Sequence, residues 1–307
     1  MTDLNKHDSE WIVQNQLVRL ANAARKDVQS ILIQYANERF LYRIGVSTYA
    51  NRLILKGANL FRIWKSAEIR PTRDLDFLGF GEMTLEDVDS TINSLCALEL
   101  PQDGIRFREE TVNSSFIRHE SGYGGIRVKL IAQITKARLP MQIDIGLGDV
   151  VTPPALVVEY PTLLDMPAPK IRAYPPETVV AEKFQILVDF GIVNSRMKDV
   201  FDLWVISETI SFNGLNLADA IRKTFNTRNT QIPTGIPLAL TREFADDPLK
   251  RAQWKGFLRK LEDSSVSHSL EQVQQQLRQF MLPPVRSIVA NENFVSVWNP
   301  GEGWRSN

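Results

Sequence analysis

The chain is poor in the residues that build redox and soft-metal centres. One cysteine, Cys96, in 307 residues excludes an intrachain disulfide and a cysteine-based zinc site. Three scattered histidines argue against a histidine metal centre. No uninterrupted apolar run reaches the ~20 residues that a membrane-spanning helix needs. The opening Met1-Thr2-Asp3-Leu4-Asn5-Lys6-His7-Asp8 has no charged-then-apolar leader pattern. Charge of one sign is missing too: 36 basic residues balance 36 acidic ones. Any contact with nucleic acid must therefore come from a local patch and not from a global field. These absences predict a soluble, cytoplasmic protein with no membrane partner.

What is present is ordinary globular material, 43% hydrophobic and 23% charged, in a chain long enough for two domains. Helical spacing predicts one helix with Trp11, Ile12, Leu17, Leu20 and Ala21 inward. A second carries Val28, Ile31, Leu32, Tyr35, Phe40 and Leu41. Residues 52–56 read as a short strand ending at Gly57, followed by a helix from Leu60 to Lys65 that Pro71 and Thr72 break. A strand Asp74–Leu78 stops at Gly79, and 84–97 reads as an amphipathic helix. Strands are predicted at Arg106–Glu109, Ile126–Ile134 and Met141–Ile145, with Ser121–Gly125 a loop. Pro153-Pro154 and Pro161–Pro176 read as a linker, dividing 1–160 from a helical 161–307. Helices are expected there at 177–190, 196–209, 216–226, 248–262 and 269–280. Asn291–Asn307 reads as a polar tail with Trp298 and Trp304 as anchors.

The chemistry concentrates around Arg73-Asp74-Leu75-Asp76. Asp74 and Asp76 are two apart, so on a strand both carboxylates point to one face, about 7 Å apart. Alone, Asp-x-Asp describes two exposed acids on an edge strand or a strand-end turn. The glycine turn upstream, Lys56-Gly57-Ala58-Asn59, changes that reading, because a glycine lets main-chain amides approach a triphosphate closely. Hard oxygen ligands at this spacing suit Mg²⁺. A third acid, Asp144, lies among strand-forming residues, where an unpaired carboxylate is expensive. It caps a turn, pairs with an arginine such as Arg127, or completes a triad able to hold two Mg²⁺ ions about 3.5–4 Å apart.

Glu182-Lys183 reads either as a solvated surface pair or as a lysine aimed at phosphate. Arg196, Asp199 and Asp202 recur on one helical flank behind Ser195, a plausible cap, as a salt-bridge ladder or as acids facing a nucleotide. Basic residues gather late in the chain: Arg222, Lys223 and Arg228, then Lys250, Arg251, Lys255, Arg259 and Lys260. They read as solvated faces or as a hold for a phosphate backbone. Thr72 stands two residues before Asp74. A phosphate there would add about −1.5 to −2 charge beside the acids, making Thr72 a candidate regulatory position that Thr72→Glu would mimic.

Several segments, in this order, resemble the AbiEii/AbiGii family of nucleotidyltransferase toxins within the polymerase-β-like superfamily. They are Glu38-Arg39-Phe40-Leu41-Tyr42-Arg43, Leu55-Lys56-Gly57, Arg70-Pro71-Thr72-Arg73-Asp74-Leu75-Asp76, Ile143-Asp144-Ile145-Gly146, Ala181-Glu182-Lys183 and Arg196–Leu203. The resemblance implies an α/β (α+β) fold: a polymerase-β-like core with a mixed sheet and N-terminal helices, and a helical C-terminal domain completing the active site. It implies Asp74, Asp76 and Asp144 as metal-binding acids, Lys183 as the essential lysine and Asp199 as the last essential acid. Lys56, Gly57, Ala58, Asn59, Arg73 and Lys183 would then hold the nucleoside triphosphate. Where the family shows Gly-Gly followed by Ser or Thr, this chain has Gly57-Ala58-Asn59, which implies an altered nucleotide fit. The implied activity is Mg²⁺-dependent transfer of a nucleoside monophosphate to the 3′ end of tRNA, by the toxin of a toxin–antitoxin or phage-defence pair with a cognate antitoxin. Nucleotidylation of protein hydroxyls and a non-catalytic binding module are the alternatives.

Overall fold

The computed structural model describes residues 3–64, 72–81, 83–118, 124–191, 196–261 and 268–306. The expected helix end at Lys65, the Arg70-Pro71 part of the acidic motif, the Ser121–Tyr123 part of the glycine loop and the Ser195 cap lie outside them. The chain divides into two units. The first takes in residues up to Lys65, Pro71–Gly148 and Leu156–Ala173; the second takes in Asp149–Ala155 and Tyr174–Asn307. The expected boundary at 160/161 is corrected by strand pairing. Leu156–Glu159 and Lys170–Ala173 form an antiparallel pair, and the latter adds in parallel to the first unit's sheet through Leu55 and Ala173.

The first unit opens with α1 (Asp3–Ala23) and α2 (Val28–Val46). Asp27 caps α2 by accepting from the Ser30 amide at 2.8 Å, satisfying an otherwise orphaned donor. On α1 the inward stripe is Val13, Leu17 and Ala21. Trp11 and Ile12, expected inward, are exposed, because the stripe passes through Glu10 instead, whose carboxylate is buried against Arg106 at 2.7 Å.

Next come β1 (Leu53–Lys56), α3 (Leu60–Ile63), β2 (Leu75–Gly79), α4 (Leu85–Cys96), β3 (Arg106–Arg118), β4 (Gly124–Ile134), β5 (Ala137–Leu147), β6 (Leu156–Glu159) and β7 (Lys170–Ala173). They build one mixed sheet in the order β3-β4-β5-β2-β1-β7-β6. α2 packs against β5 and β7. Leu75, Phe77, Ile143 and Ile145 are buried, each worth roughly 1.5–3 kcal/mol relative to exposure. Their strand neighbours Asp76 and Asp144, on the alternate face, are half-buried.

The second unit is helical: α5 (Pro176–Phe190), α6 (Met197–Thr209), α7 (Gly214–Thr227), α8 (Arg242–Asp246), α9 (Pro248–Leu258) and α10 (Leu270–Ala290). A small sheet joins β8 (Phe212–Asn213) to a hairpin of β9 (Ser296–Asn299) and β10 (Gly303–Ser306). The helix expected to stop at 280 continues through Pro283 and Pro284. Prolines usually end or kink a helix, but here Phe280, Met281, Pro284 and Val285 keep one buried face across them. The expected tail is the hairpin. Its Trp298 is buried and donates to the Ser207 carbonyl at 2.8 Å, and Trp304 donates to the Phe280 carbonyl at 2.9 Å.

Candidate active site

Strand register sets four charged side chains in one row. Lys56 on β1 pairs with Asp76 on β2, Asp76 with Asp144 on β5, and Asp144 with Arg127 on β4. Partners across neighbouring strands share a face and stand about 4.8 Å apart, so the row reads plus, minus, minus, plus. Asp74 immediately precedes β2 and is half-buried. Asp144, distant in sequence, is thus brought beside Asp76 on the sheet, with Asp74 just ahead of β2.

Arg127 grips Asp144 with two parallel bonds, Nε to Oδ1 at 2.8 Å and Nη2 to Oδ2 at 2.7 Å. Gln142 adds a third donor at 3.2 Å. Such forks are among the strongest side-chain hydrogen bonds. The hydrogen bonding that Arg127 donates to Asp144 is the main cause that raises the Arg127 pKa. Burial opposes it, and the fields of Asp144, Asp74 and Asp76 add to it. All three carboxylates therefore lie within electrostatic reach of one guanidinium. Of the three partners that the sequence allowed Asp144, the structure supplies the arginine. Among the described residues, no group of three or more His, Cys, Asp or Glu side chains is arranged to hold a metal ion.

Gly57 closes the row from above. Its φ of +74° is left-handed, and a Cβ there would stand 2.1 Å from Asp76 Oδ2. Only glycine meets both conditions. The Lys56 ammonium reaches across to Gly146 on β5, 3.9 Å from where a Cβ would be.

Ala58, the next residue, is buried. Asn59 is 2% exposed and spends its amide inside the protein. Nδ2 donates to the Asp74 carbonyl at 2.8 Å, and Oδ1 accepts from the Tyr160 hydroxyl at 3.1 Å. Arg73 is exposed, and Thr72 is half-buried with Oγ1 3.5 Å from the Asp74 carbonyl.

Behind the row, α2 carries a buried polar face that periodicity alone reads as surface. Asn37 donates to the Arg73 carbonyl at 3.1 Å. Glu38 accepts from the Leu163 amide at 2.7 Å and pairs with Arg39 at 2.9 Å, while Arg39 donates to the Pro167 carbonyl. Burial is the largest influence on Glu38 and pushes its pKa up to about 7 against the pull of Arg39.

Lys183 and Asp199 come together in the second unit. Lys183 Nζ lies 2.8 Å from Asp199 and 2.7 Å from Asp202, and Arg196 Nε lies 2.6 Å from Asp199. Burial works to raise the Asp199 pKa, but Lys183 and then Arg196 outweigh it and hold it down at about 2. Glu182 is not paired with its neighbour on a solvated surface. It is buried, accepts from the Tyr174 hydroxyl at 3.0 Å and lies 3.3 Å from Arg228. Arg228 also binds Asp149 at 2.8 Å, and Lys250 is buried beside the Phe244 ring. Those two late basic residues are committed internally. Arg222 and Lys223 share Asp219.

A family profile, nucleotidyl transferase AbiEii toxin of type IV toxin–antitoxin systems, matches residues 39–278. The chain is a member of the AbiEii family. It is therefore a nucleotidyltransferase-family protein, and the match spans every candidate site residue from Lys56 to Asp199. Two solved structures from Helicobacter pylori are similar to this AbiEii chain. One is a presumed nucleotidyltransferase, 15% identical, covering 86% of this chain and 98% of its own with a TM-score of 0.49. The other is JHP933, 16% identical, covering 84% and 94% with a TM-score of 0.46. No curated protein matches the chain significantly. Among the described residues of the AbiEii chain, no helix is long and apolar enough to cross a membrane.

Proposed function

We propose that the chain transfers a nucleoside monophosphate from a nucleoside triphosphate to an RNA hydroxyl, at the 3′ end of tRNA, as the cytoplasmic toxin of an antitoxin-controlled phage-defence pair. The observation that carries this reading is the row Lys56–Asp76–Asp144–Arg127, with Asp74 beside it and Gly57 against it.

Two carboxylates, Asp74 and Asp76, suit Mg²⁺, which takes one or two carboxylates together with substrate phosphates. These two would hold the ion. Bound there, Mg²⁺ would polarise the α-phosphate and offset charge on the pyrophosphate.

The remaining work falls to side chains. Lys56 and Arg127 flank the acids and place positive charge beside the triphosphate, with exposed Arg73 at the entry. The acceptor oxygen bonds to the α-phosphorus, the bond to the bridging β-phosphate oxygen breaks, and pyrophosphate leaves with that electron pair. Arg127 and Gln142 use three of the roughly four acceptor positions on the Asp144 carboxylate. One position remains to orient the acceptor hydroxyl and receive its proton. In the second unit, Lys183 and Asp199 are proposed to be required for transfer in addition to their internal pairing. Thr72 is proposed as a regulatory position.

The test uses each labelled nucleoside triphosphate with total RNA and, separately, total protein. Label entering a tRNA-sized band with Mg²⁺ supports the reading. Label confined to protein transfers the activity to protein hydroxyls, and no label in either sample overturns it.

A further inference from the structure

We propose that Tyr160 and Asn59 form a positioning relay for Asp74, an inference that rests on the assignment of Asp74 to the nucleotide-binding acids. Two consecutive main-chain carbonyls at the entry to β2 are each held by a buried amide. Asn37, 1% exposed, donates to the Arg73 carbonyl at 3.1 Å. Asn59 donates to the Asp74 carbonyl at 2.8 Å. Peptide units are planar, so these two bonds orient the planes on both sides of the Asp74 Cα. They fix its φ and ψ and leave only two side-chain torsions.

Tyr160 decides which way the Asn59 amide faces. Oxygen and nitrogen of an asparagine side chain are nearly equal in shape, and only the surrounding partners choose between them. The Asp74 carbonyl requires a donor, so Nδ2 must face it. The Tyr160 hydroxyl, 3.1 Å from Oδ1, then must donate. Tyr160 is 1% exposed, and burial raises its pKa, so the proton needed for that bond stays in place. Without it, a flipped amide would set oxygen against oxygen at Asp74. A phenol and an amide that only filled space could be replaced by apolar groups of the same shape at little loss. These two instead aim at one carboxylate-bearing residue.

Tyr35 is the matched control. It is fully buried in the same unit and donates a single bond to the Asp103 carbonyl at 2.8 Å. Tyr160→Phe and Tyr35→Phe each delete one buried hydroxyl, and only the first touches the relay. Both would be assayed for kcat and KM of labelled-nucleotide transfer to total RNA, for Tm, and for Mn²⁺ affinity by electron paramagnetic resonance. The expected result for Tyr160→Phe is a kcat about 10- to 100-fold lower, a KM within about threefold and weaker Mn²⁺ binding. Tyr35→Phe should lower Tm to a similar degree with kcat within about twofold. Asn59→Asp, which keeps the shape and lacks the donor, should lose at least as much kcat as Tyr160→Phe. Wild-type kcat in Tyr160→Phe, or equal losses in both phenylalanine variants, would overturn the relay. Asp74→Asn separates the layers. If it abolishes transfer while Tyr160→Phe is unaffected, only the relay fails; if it leaves transfer intact, the site assignment fails and takes the relay with it.

Discussion

Each unit carries a cluster of two acids and two bases, and the clusters differ in exposure. The arginines are alike, Arg127 at 36% and Arg196 at 35% exposed. The acids are not: Asp144 keeps 16% of its side chain exposed, and Asp199 and Asp202 keep 2% and 1%. Equal composition therefore serves different ends. A buried cluster must satisfy itself, since a charge taken from water costs several kcal/mol unless it is paired. A half-open one keeps part of its charge in contact with solvent. The contrast in exposure can be tested residue by residue.

The largest effect is expected at the open cluster. Asp76→Asn should lower transfer by about 100- to 1,000-fold, the range typical for losing a group that stabilises charge in the transition state. Its melting temperature should stay near wild type, because the side chain is half-buried on a sheet face. A drop in Tm that tracks the loss of activity would erase the distinction between the clusters.

Asp199→Asn should lower stability in a urea titration as well as transfer. Removing one partner from a buried ion pair costs about 3–5 kcal/mol. The sign of its pH dependence follows from its lowered pKa. The stabilisation is complete above the unfolded value of 3.8 and is lost as pH falls towards about 2. Acid unfolding of the second unit should therefore begin below pH 4 in the wild type and at higher pH in the variant, followed by circular dichroism.

A smaller effect comes from Glu38, which is buried like Asp199 but has one paired arginine instead of a lysine and an arginine. Its pKa is raised to about 7 from 4.5. Its stabilisation is therefore complete below 4.5 and is lost as pH rises through 7. Glu38→Gln should flatten that slope and change the Tm at pH 8 by roughly 2–4 °C. An unchanged slope would mean that Glu38 titrates as an ordinary carboxylate.

Much of the site was legible because its signals are local. A strand ended by glycine, a second bearing Asp76 just after Asp74 and a third bearing Asp144 each follow from local pattern, and the resemblance fixed their order. The structure adds the register that makes Lys56, Asp76, Asp144 and Arg127 one row. That register depends on pairing between distant strands, which spacing along the chain does not encode. β6 and β7 were hidden because each is four residues long and flanked by prolines, which read as a linker. The polar face of α2 was hidden for another reason. Asn37, Glu38 and Arg39 look like solvent-facing residues, and only the carbonyls and amides that they meet show that they are internal. The burial of Ala58 and Asn59 was hidden on the same ground.

The hairpin that follows α10 bears on the order in which the protein assembles. Trp298 and Trp304 complete a ring cluster with Phe280, yet of all the described segments theirs is the last to leave the ribosome. During synthesis, the second unit waits for residues 296–306 before its interior can shut, while every strand of the first sheet has already emerged by Ala173. A ribosome stalled shortly before that hairpin would release a chain with its sheet formed and its helical half unsealed, a substrate for proteases. Truncations in this stretch should therefore surface as low abundance in cells before they surface as altered chemistry.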